Sequence, residues 1–345
     1  MNVYVALAVV AVVSFLISFG LGFVLIPWLK KLKFGQNILL EDGPVWHKSK
    51  QGTPTMGGIM FIISTVLSVA AVLITDKILG GNLFAGETAV PDKMKVKLVS
   101  AIILALGFGI IGFADDYIKV VKKRNLGLTI MQKSIAQLVI MIGYLVTLYI
   151  NGLTYMKIPF VGAVELKWFF WIFGIAVIYG TVNAVNFTDG IDGLCASVTA
   201  VTATAFVIAS LMSKFFGISI LAAGLLGGCL GYLIWNHYPS KVMMGDTGAL
   251  FLGGLVAGLA YAIDCPIILL LFGLLYVIEA MSDVLQIGYF KATHGKRIFK
   301  MAPIHHHFEM SGWKEKKIVA VFTLVNAVGC VLGLIIYYYG IVAVR

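Results

Sequence analysis

Long uninterrupted apolar runs alternate along the chain with short polar connections. The runs fall at about 4–29, 56–75, 96–114, 131–150, 167–187, 194–213, 217–235, 248–263, 266–290 and 317–340. Most are close to the ~20 residues that a helix needs to cross a bilayer. Strands of a membrane barrel would alternate polar and apolar positions. These runs do not alternate, so they predict ten transmembrane helices. No Ser/Pro linker or low-complexity tract divides the chain. The expected architecture is an all-α polytopic membrane protein, with one domain over residues 1–345.

Composition supports that reading and narrows it. Of the 345 residues, 60% are hydrophobic and 12% charged, and the mean hydropathy is +0.98. Soluble domains run nearer 45–50% apolar and about 25% charged. An ordinary cytosolic enzyme, a disordered chain and a secreted disulfide scaffold are therefore excluded. The net charge of +10 would suggest nucleic acid in a soluble protein. In a membrane protein it follows from the bias of Lys and Arg toward cytoplasmic loops, so no nucleic-acid partner is expected. Cys195, Cys229, Cys265 and Cys330 lie in apolar runs without a CxxC pair and read as small hydrophobes.

Sidedness follows from Lys and Arg alone. The first charge is Lys30, so the N-terminus has no basic region of a secretory signal and reads as a span that starts outside. With the first connection cytoplasmic, the cytoplasmic segments hold 18 of the 26 basic residues and the outer segments 8. That split predicts both termini periplasmic and five cytoplasmic loops.

Charged and amide groups near membrane depth are costly and by default suggest function. The third run ends Asp115-Asp116-Tyr117, followed by Lys119, Lys122, Lys123 and Arg124. A base or metal ligand with a partner is one reading, and a solvated helix end neutralised by lysines is the other. The fifth ends Asn183-Ala-Val-Asn186-Phe-Thr-Asp189-Gly190-Ile-Asp192-Gly193. The period of three puts these groups on one face while the helix lasts, and capping alone needs only one of them. Asn236 and Asp246 flank the connection before the eighth run, where Asp246 could bind or simply cap. Glu279, Asp283 and Gln286 share one face of the ninth, with bundle hydrogen bonding as the alternative to function. Ala302-Pro-Ile-His305-His306-His307 lies in the last cytoplasmic loop. Lys50 and Thr55 lie in the first, beside Gly52, Gly57 and Gly58.

The topology was derived from Lys and Arg, yet each cytoplasmic loop carries one of these clusters and no outer loop does. Converging loops would gather carboxylates among lysines and histidines. Oxygen ligands suit Mg²⁺, which takes one or two carboxylates plus substrate phosphates. This composition points to phosphoryl chemistry at the inner membrane face. Gly107-Phe-Gly109-Ile-Ile-Gly112 matches GxGxxG but lies inside an apolar span, without the strand–turn–helix context of a dinucleotide site. Gly224, Gly228, Gly231, Gly254 and Gly258 read as close helix packing.

Gly52-Thr-Pro-Thr-Met-Gly-Gly58, Asp115-Asp116, the Asn183–Gly193 motif, Met244-Gly-Asp246 and Ala302-Pro-Ile-His-His-His307 together resemble the phospho-N-acetylmuramoyl-pentapeptide transferase family. This family belongs to the polyprenyl-phosphate N-acetylhexosamine-1-phosphate transferase superfamily. The resemblance runs from about residue 27 to 317. It implies transfer of phospho-MurNAc-pentapeptide from UDP-MurNAc-pentapeptide to undecaprenyl phosphate, giving lipid I and UMP, the first membrane step of peptidoglycan synthesis. It also implies Mg²⁺, a homodimer, and a site on the cytoplasmic face of the bacterial inner membrane. By the same resemblance, Asp246 looks like the principal metal ligand, with Asp115 the second candidate. Asp115, Asp116, Asp246 and His305 look catalytic. Asn186, Asp189, Gly190, Asp192 and Asn236 look like the nucleotide pocket and its supports, and Asn183 like a substrate-binding position. Lys50, Thr55, Lys119, Lys133, Gln286, His306 and His307 look like further substrate-binding positions. Met243 stands where many members carry Phe, which puts aromatic stacking on uracil in doubt. Two rivals stay open: a sister transferase using UDP-GlcNAc, and an anionic-solute transporter, against which the absence of a visible inverted repeat counts.

Overall fold

The computed structural model describes residues 1–32, 52–86, 91–121 and 127–344. Among them the long helices are α1 (Val3–Lys31), α2 (Ile59–Ile78), α3 (Pro91–Val121), α4 (Ile130–Ile150), α5 (Phe169–Thr188), α6 (Leu194–Met212), α7 (Phe216–Asn236) and α8 (Gly245–Ala262). A 3-10 turn, Pro266–Ile268, leads into the short α9 (Leu269–Phe272) and then α10 (Leu274–Ala292). The short α11 (Ile304–Glu309) and the long α12 (Glu315–Tyr337) follow, and α12 continues into a π turn over Tyr338–Val342. Among the described residues nine helices are long and apolar enough to cross a membrane. The bent pair on either side of Gly273 makes a tenth.

Two expectations need correction. The ninth run is not one straight span: it breaks at Gly273 with a bend of 86°. The chain is also not wholly helical, because β1 (Tyr155–Ile158) and β2 (Gly162–Glu165) form an antiparallel hairpin between α4 and α5. Its Tyr155, Ile158 and Val164 are β-formers, and it pairs where the polar connection allows a turn.

Helices α6, α7 and α8 form the enclosed centre, and α8 is almost wholly buried. Helices apolar all round belong inside a bundle. Small residues let them approach closely. A Cβ at Gly227 would stand 2.1 Å from the Ala11 carbonyl oxygen and one at Gly231 2.4 Å from that of Phe15, which fixes how near α7 comes to α1. Gly254 and Gly258 meet Ala105 and Ala101 of α3 in the same way. Buried hydroxyls join the helices: Ser14 donates to the Gly224 carbonyl at 2.7 Å and Ser18 to that of Gly228 at 2.9 Å. The four cysteines are buried and free, as their apolar setting predicts.

Two polar assemblies occupy opposite ends of α8. Asp246 opens the helix at one end. Past the other end, Asp264 pairs with Lys97 of α3 and, at 3.1 Å, with Lys157 of β1. The Lys157 amide also donates to the Asp264 carbonyl at 2.6 Å. The hairpin is thereby tied to α8, and Phe160 at its tip donates to Gly340 in the C-terminal π turn at 2.9 Å.

Candidate active site

Backbone pairing first brings the chain segments together. Gly57 donates to Met243, Gly58 to Met244, and Met243 to Pro54, at 2.9, 3.1 and 2.8 Å. The segment entering α2 is thus laid against the segment entering α8. That contact places Thr55 beside Gly245, whose φ of +69° is one that glycine adopts without penalty. A Cβ on Gly245 would lie 2.5 Å from the Thr55 hydroxyl and 2.4 Å from Asp116 Oδ2, so the close approach also demands glycine.

The adjacent aspartates at the end of α3 do different work. Asp116 is turned to α8: its Oδ2 accepts from the Thr247 amide at 2.9 Å and the Thr247 hydroxyl at 2.7 Å, and its Oδ1 from the Asp246 amide at 3.3 Å. It caps from a neighbouring helix amides that a helix N-terminus leaves unpaired, at the positive end of the helix dipole. Asp115 faces the same cluster but bonds no amide of α8. It pairs with Lys119 at 2.6 Å and accepts from the Leu128 amide at 2.7 Å. A Cβ on Gly127 would meet its Oδ1 at 2.4 Å.

Asp246 is the hub. Its Oδ2 accepts from Lys119 at 2.9 Å and Lys133 at 3.0 Å, and its Oδ1 from Asn186 at 3.0 Å. Four helices (α3, α4, α5 and α8) therefore meet on one carboxylate. Oxygens of Asp115, Asp116 and Asp246 lie within 4.8 Å of one another. Hard carboxylate oxygens beside cationic side chains fit a Mg²⁺ ion and a phosphate chain. Because Asp116 already serves α8, Asp115 and Asp246 are the pair with reason to face a ligand. Lys119 bridges them, so a cation there would compete with its ammonium.

The histidine loop joins from α10. Glu279, fully buried, accepts from His305 Nδ1 at 3.0 Å, which fixes the ring and directs Nε2 at the α5–α6 turn. A Cβ on Gly190 would stand 2.1 Å from that Nε2. Gly190 is therefore required by contact, and its neighbour Gly193 by its φ of +80°. Among the described residues His305 Nε2 is buried without a hydrogen-bond partner. His306 bonds Glu309 at 2.6 Å.

Other expected residues frame the site. The period of three from Asn183 to Asp192 holds only to Thr188, where α5 ends. Asn186 reaches Asp246, but Asn183 donates to the Tyr179 carbonyl at 2.8 Å and lies 3.5 Å from Gln137. Asp189 closes the C-terminus of α5. Asp192 accepts from the Ser240 amide at 3.0 Å. Asn236 accepts from Gly193 at 3.1 Å and donates to Val242 at 2.9 Å, stitching two turns together. Gln286 holds the loop before α11 through Phe299 and Ile298, and His307 accepts from the Lys300 amide at 3.1 Å. Met243 accepts from the Ser240 hydroxyl at 3.2 Å. Lys50 lies outside the described residues. Sequence reasoning left out Gly127 and the partnership of Glu279 with His305. The spacing of Glu279 and Gln286 on one helix face was the available signal.

Comparison with known proteins decides what this constellation belongs to. A phospho-N-acetylmuramoyl-pentapeptide-transferase of Acetivibrio thermocellus is 44% identical over 328 residues, covering 94% of this chain and 93% of the relative. The chain belongs to the phospho-N-acetylmuramoyl-pentapeptide-transferase family. Transferases of the same name from Desulforamulus reducens and Bacillus subtilis are 42% and 41% identical, covering 96% and 94% of this chain and 96% and 95% of their own lengths. The first signature of this family matches residues 50–62, the strand of chain that carries Thr55 to Gly245. The broader glycosyl transferase family 4 model matches residues 98–264, from α3 to just past α8, which includes all three clustered aspartates. The chain is thus a multi-pass membrane transferase of this family.

Proposed function

We propose that this protein transfers phospho-MurNAc-pentapeptide from UDP-MurNAc-pentapeptide to undecaprenyl phosphate, releasing UMP and forming lipid I at the cytoplasmic face of a bacterial inner membrane. The observation that carries the reading is the Asp115–Lys119–Asp246 bridge at one end of the bundle, with Lys133 and Asn186 on the same carboxylate. Phosphoryl transfer asks mainly for in-line positioning and neutralisation of charge. Lys119 and Lys133 offer that charge to a pyrophosphate, and Asn186 orients Asp246. Mg²⁺, held by Asp246 with Asp115 as second ligand, would supply further neutralisation of the phosphate oxygens.

A lipid phosphate titrates near neutrality and is already nucleophilic. Its oxygen attacks the β-phosphorus and the bond to UMP breaks. Asp115 positions the lipid phosphate or takes its remaining proton, and Asp116 keeps the first turn of α8, and with it Asp246, in place. His305 donates or accepts through Nε2 at the nucleotide side, beside Asp189, Gly190 and Asp192. An apolar cavity of about 370 Å³ between α5 and the α9–α10 bend is suited to the prenyl chain. It reaches Ala184, two residues from Asn186. The positive-inside count supports periplasmic termini and cytoplasmic loops, and we infer a single domain that assembles as a homodimer.

The test is UMP release by purified protein given UDP-MurNAc-pentapeptide and undecaprenyl phosphate, with and without Mg²⁺. Release that needs both substrates and the metal is expected. Absence of release with these substrates, or release with UDP-GlcNAc in its place, would overturn the substrate reading. A phosphorylated carboxylate trapped from the UDP-sugar without lipid would replace direct attack by a covalent route.

A further inference from the structure

The break at Gly273 leaves backbone groups without helical partners in the middle of an apolar bundle. In a continuous helix the Leu275 amide would donate to the Leu271 carbonyl, and the Phe272 carbonyl would accept from Tyr276. An apolar medium offers no replacement for those bonds, so a break at this depth needs partners from protein. One side chain serves both sides. Asn326 of α12 is fully buried. Its Oδ1 accepts from the Leu275 amide at 3.1 Å and its Nδ2 donates to the Phe272 carbonyl at 3.3 Å. Thr202 of α6 donates to the same carbonyl at 2.7 Å and accepts from Asn326 at 3.0 Å. The carboxamide stands in for a peptide group, with one acceptor and one donor facing the two ends of the break.

The surface around it is shaped for the same purpose. Asn326, Gly329, Cys330 and Gly333 follow at helical spacing on α12. A Cβ on Gly329 would lie 2.6 Å from the Leu271 carbonyl oxygen, and one on Gly333 2.8 Å from the Phe272 ring. The bent segment sits in the space those glycines leave. The apolar cavity beside α5 is lined from both sides of the break, by Pro266 and Leu270 before it and by Tyr276, Ala280 and Met281 after it. A straight helix would put those residues along one line and remove the concavity.

We propose that Asn326 is a positioning residue for the lipid substrate: by splicing the broken span it holds open the groove that takes the prenyl chain. This inference rests on the reading of that groove as the lipid-chain site. Asn326→Leu keeps a similar volume and removes both hydrogen bonds. The rate with undecaprenyl phosphate is compared with the rate with a short prenyl phosphate, farnesyl phosphate, at saturating UDP-MurNAc-pentapeptide. Asn326→Leu is expected to lower the long-to-short ratio of kcat/KM by about tenfold, within the range set by lost apolar pocket contacts. KM for the nucleotide should stay unchanged, and Asn326→Gln, which retains the amide, should restore part of the ratio. Spin labels on the exposed positions Leu270 and Phe290 report the bend directly, and their separation should lengthen in Asn326→Leu. Equal loss with both lipids, or an unchanged ratio and separation, would overturn the proposal. Ala280→Trp tests the groove itself. If filling it leaves the ratio unchanged, the lipid-groove reading is at fault. If Ala280→Trp lowers the ratio and Asn326→Leu does not, the role of Asn326 is what fails.

Discussion

At the scale of single residues, two neighbours with the same side chain have different environments. Asp246 collects Lys119, Lys133 and Asn186, and Asp115 collects Lys119 and the Leu128 amide. Asp246→Asn keeps the size and removes the charge that gathers them. Its UMP release should fall by ~10²-fold or more in kcat, of the order seen when an electrostatic group is removed from an enclosed site. Chelation of divalent metal should have the same effect on the unaltered protein, reversed by added Mg²⁺, and an active chelated enzyme would remove the metal from the mechanism. Gly190→Ala is a steric test. The new Cβ would meet His305 Nε2 at 2.1 Å, so the ring must leave Glu279 or the turn must shift. We expect UMP release to fall, while Gly143, a helical glycine with open space around it, tolerates alanine.

At the scale of elements, the first turn of α8 depends on a carboxylate from α3. Asp116→Ala leaves the Thr247 amide and hydroxyl unpaired and buried. Loss of a helix cap costs roughly 1–2 kcal/mol, so the thermal midpoint should drop, as read by unfolding in detergent. Asp115→Ala removes no cap from α8 and should lower the midpoint less, while UMP release should fall. Equal midpoints would refute the division of labour between the two aspartates. This division was not legible in the sequence. Adjacent residues on a helix point about 100° apart, which says that they differ without saying which one turns inward. The helix hosting α8's cap is 130 residues away along the chain.

For the whole molecule, the prediction concerns sides. The hairpin tip at Phe160 and the histidine loop at Lys300 lie toward opposite ends of the bundle. A cysteine introduced at Phe160 should react with an impermeant thiol reagent on intact cells, and one at Lys300 only after the membrane is opened. Reversed labelling would invert the orientation drawn from Lys and Arg. The latch of Asp264 with Lys97 and Lys157 lies at the far end of α8 from Asp246. Its disruption by Asp264→Asn should lower the thermal midpoint and leave the KM for both substrates unchanged.

Ten apolar runs, their polar ends and the gathering of those ends on one side were all readable from the chain, because solvation by lipid acts on each segment separately. Spacing within a run is enough to show that a face is apolar, and the bias of lysines is enough to predict a side. The family was readable as well, since short motifs keep their order in the chain. Pairings between distant segments were not. That Asp246 meets residues of α3, α4 and α5, that Glu279 holds His305, and that Asn326 bridges a break in another helix are contacts over dozens to more than a hundred residues. They depend on how the helices pack, which no single segment contains. The bend at Gly273 shows the difference most clearly. Residues 266–290 read as one span by hydropathy, and it is the buried carboxamide on α12, with the hydroxyl of Thr202 and the thiol of Cys330, that supplies hydrogen bonds letting the backbone break inside an apolar medium.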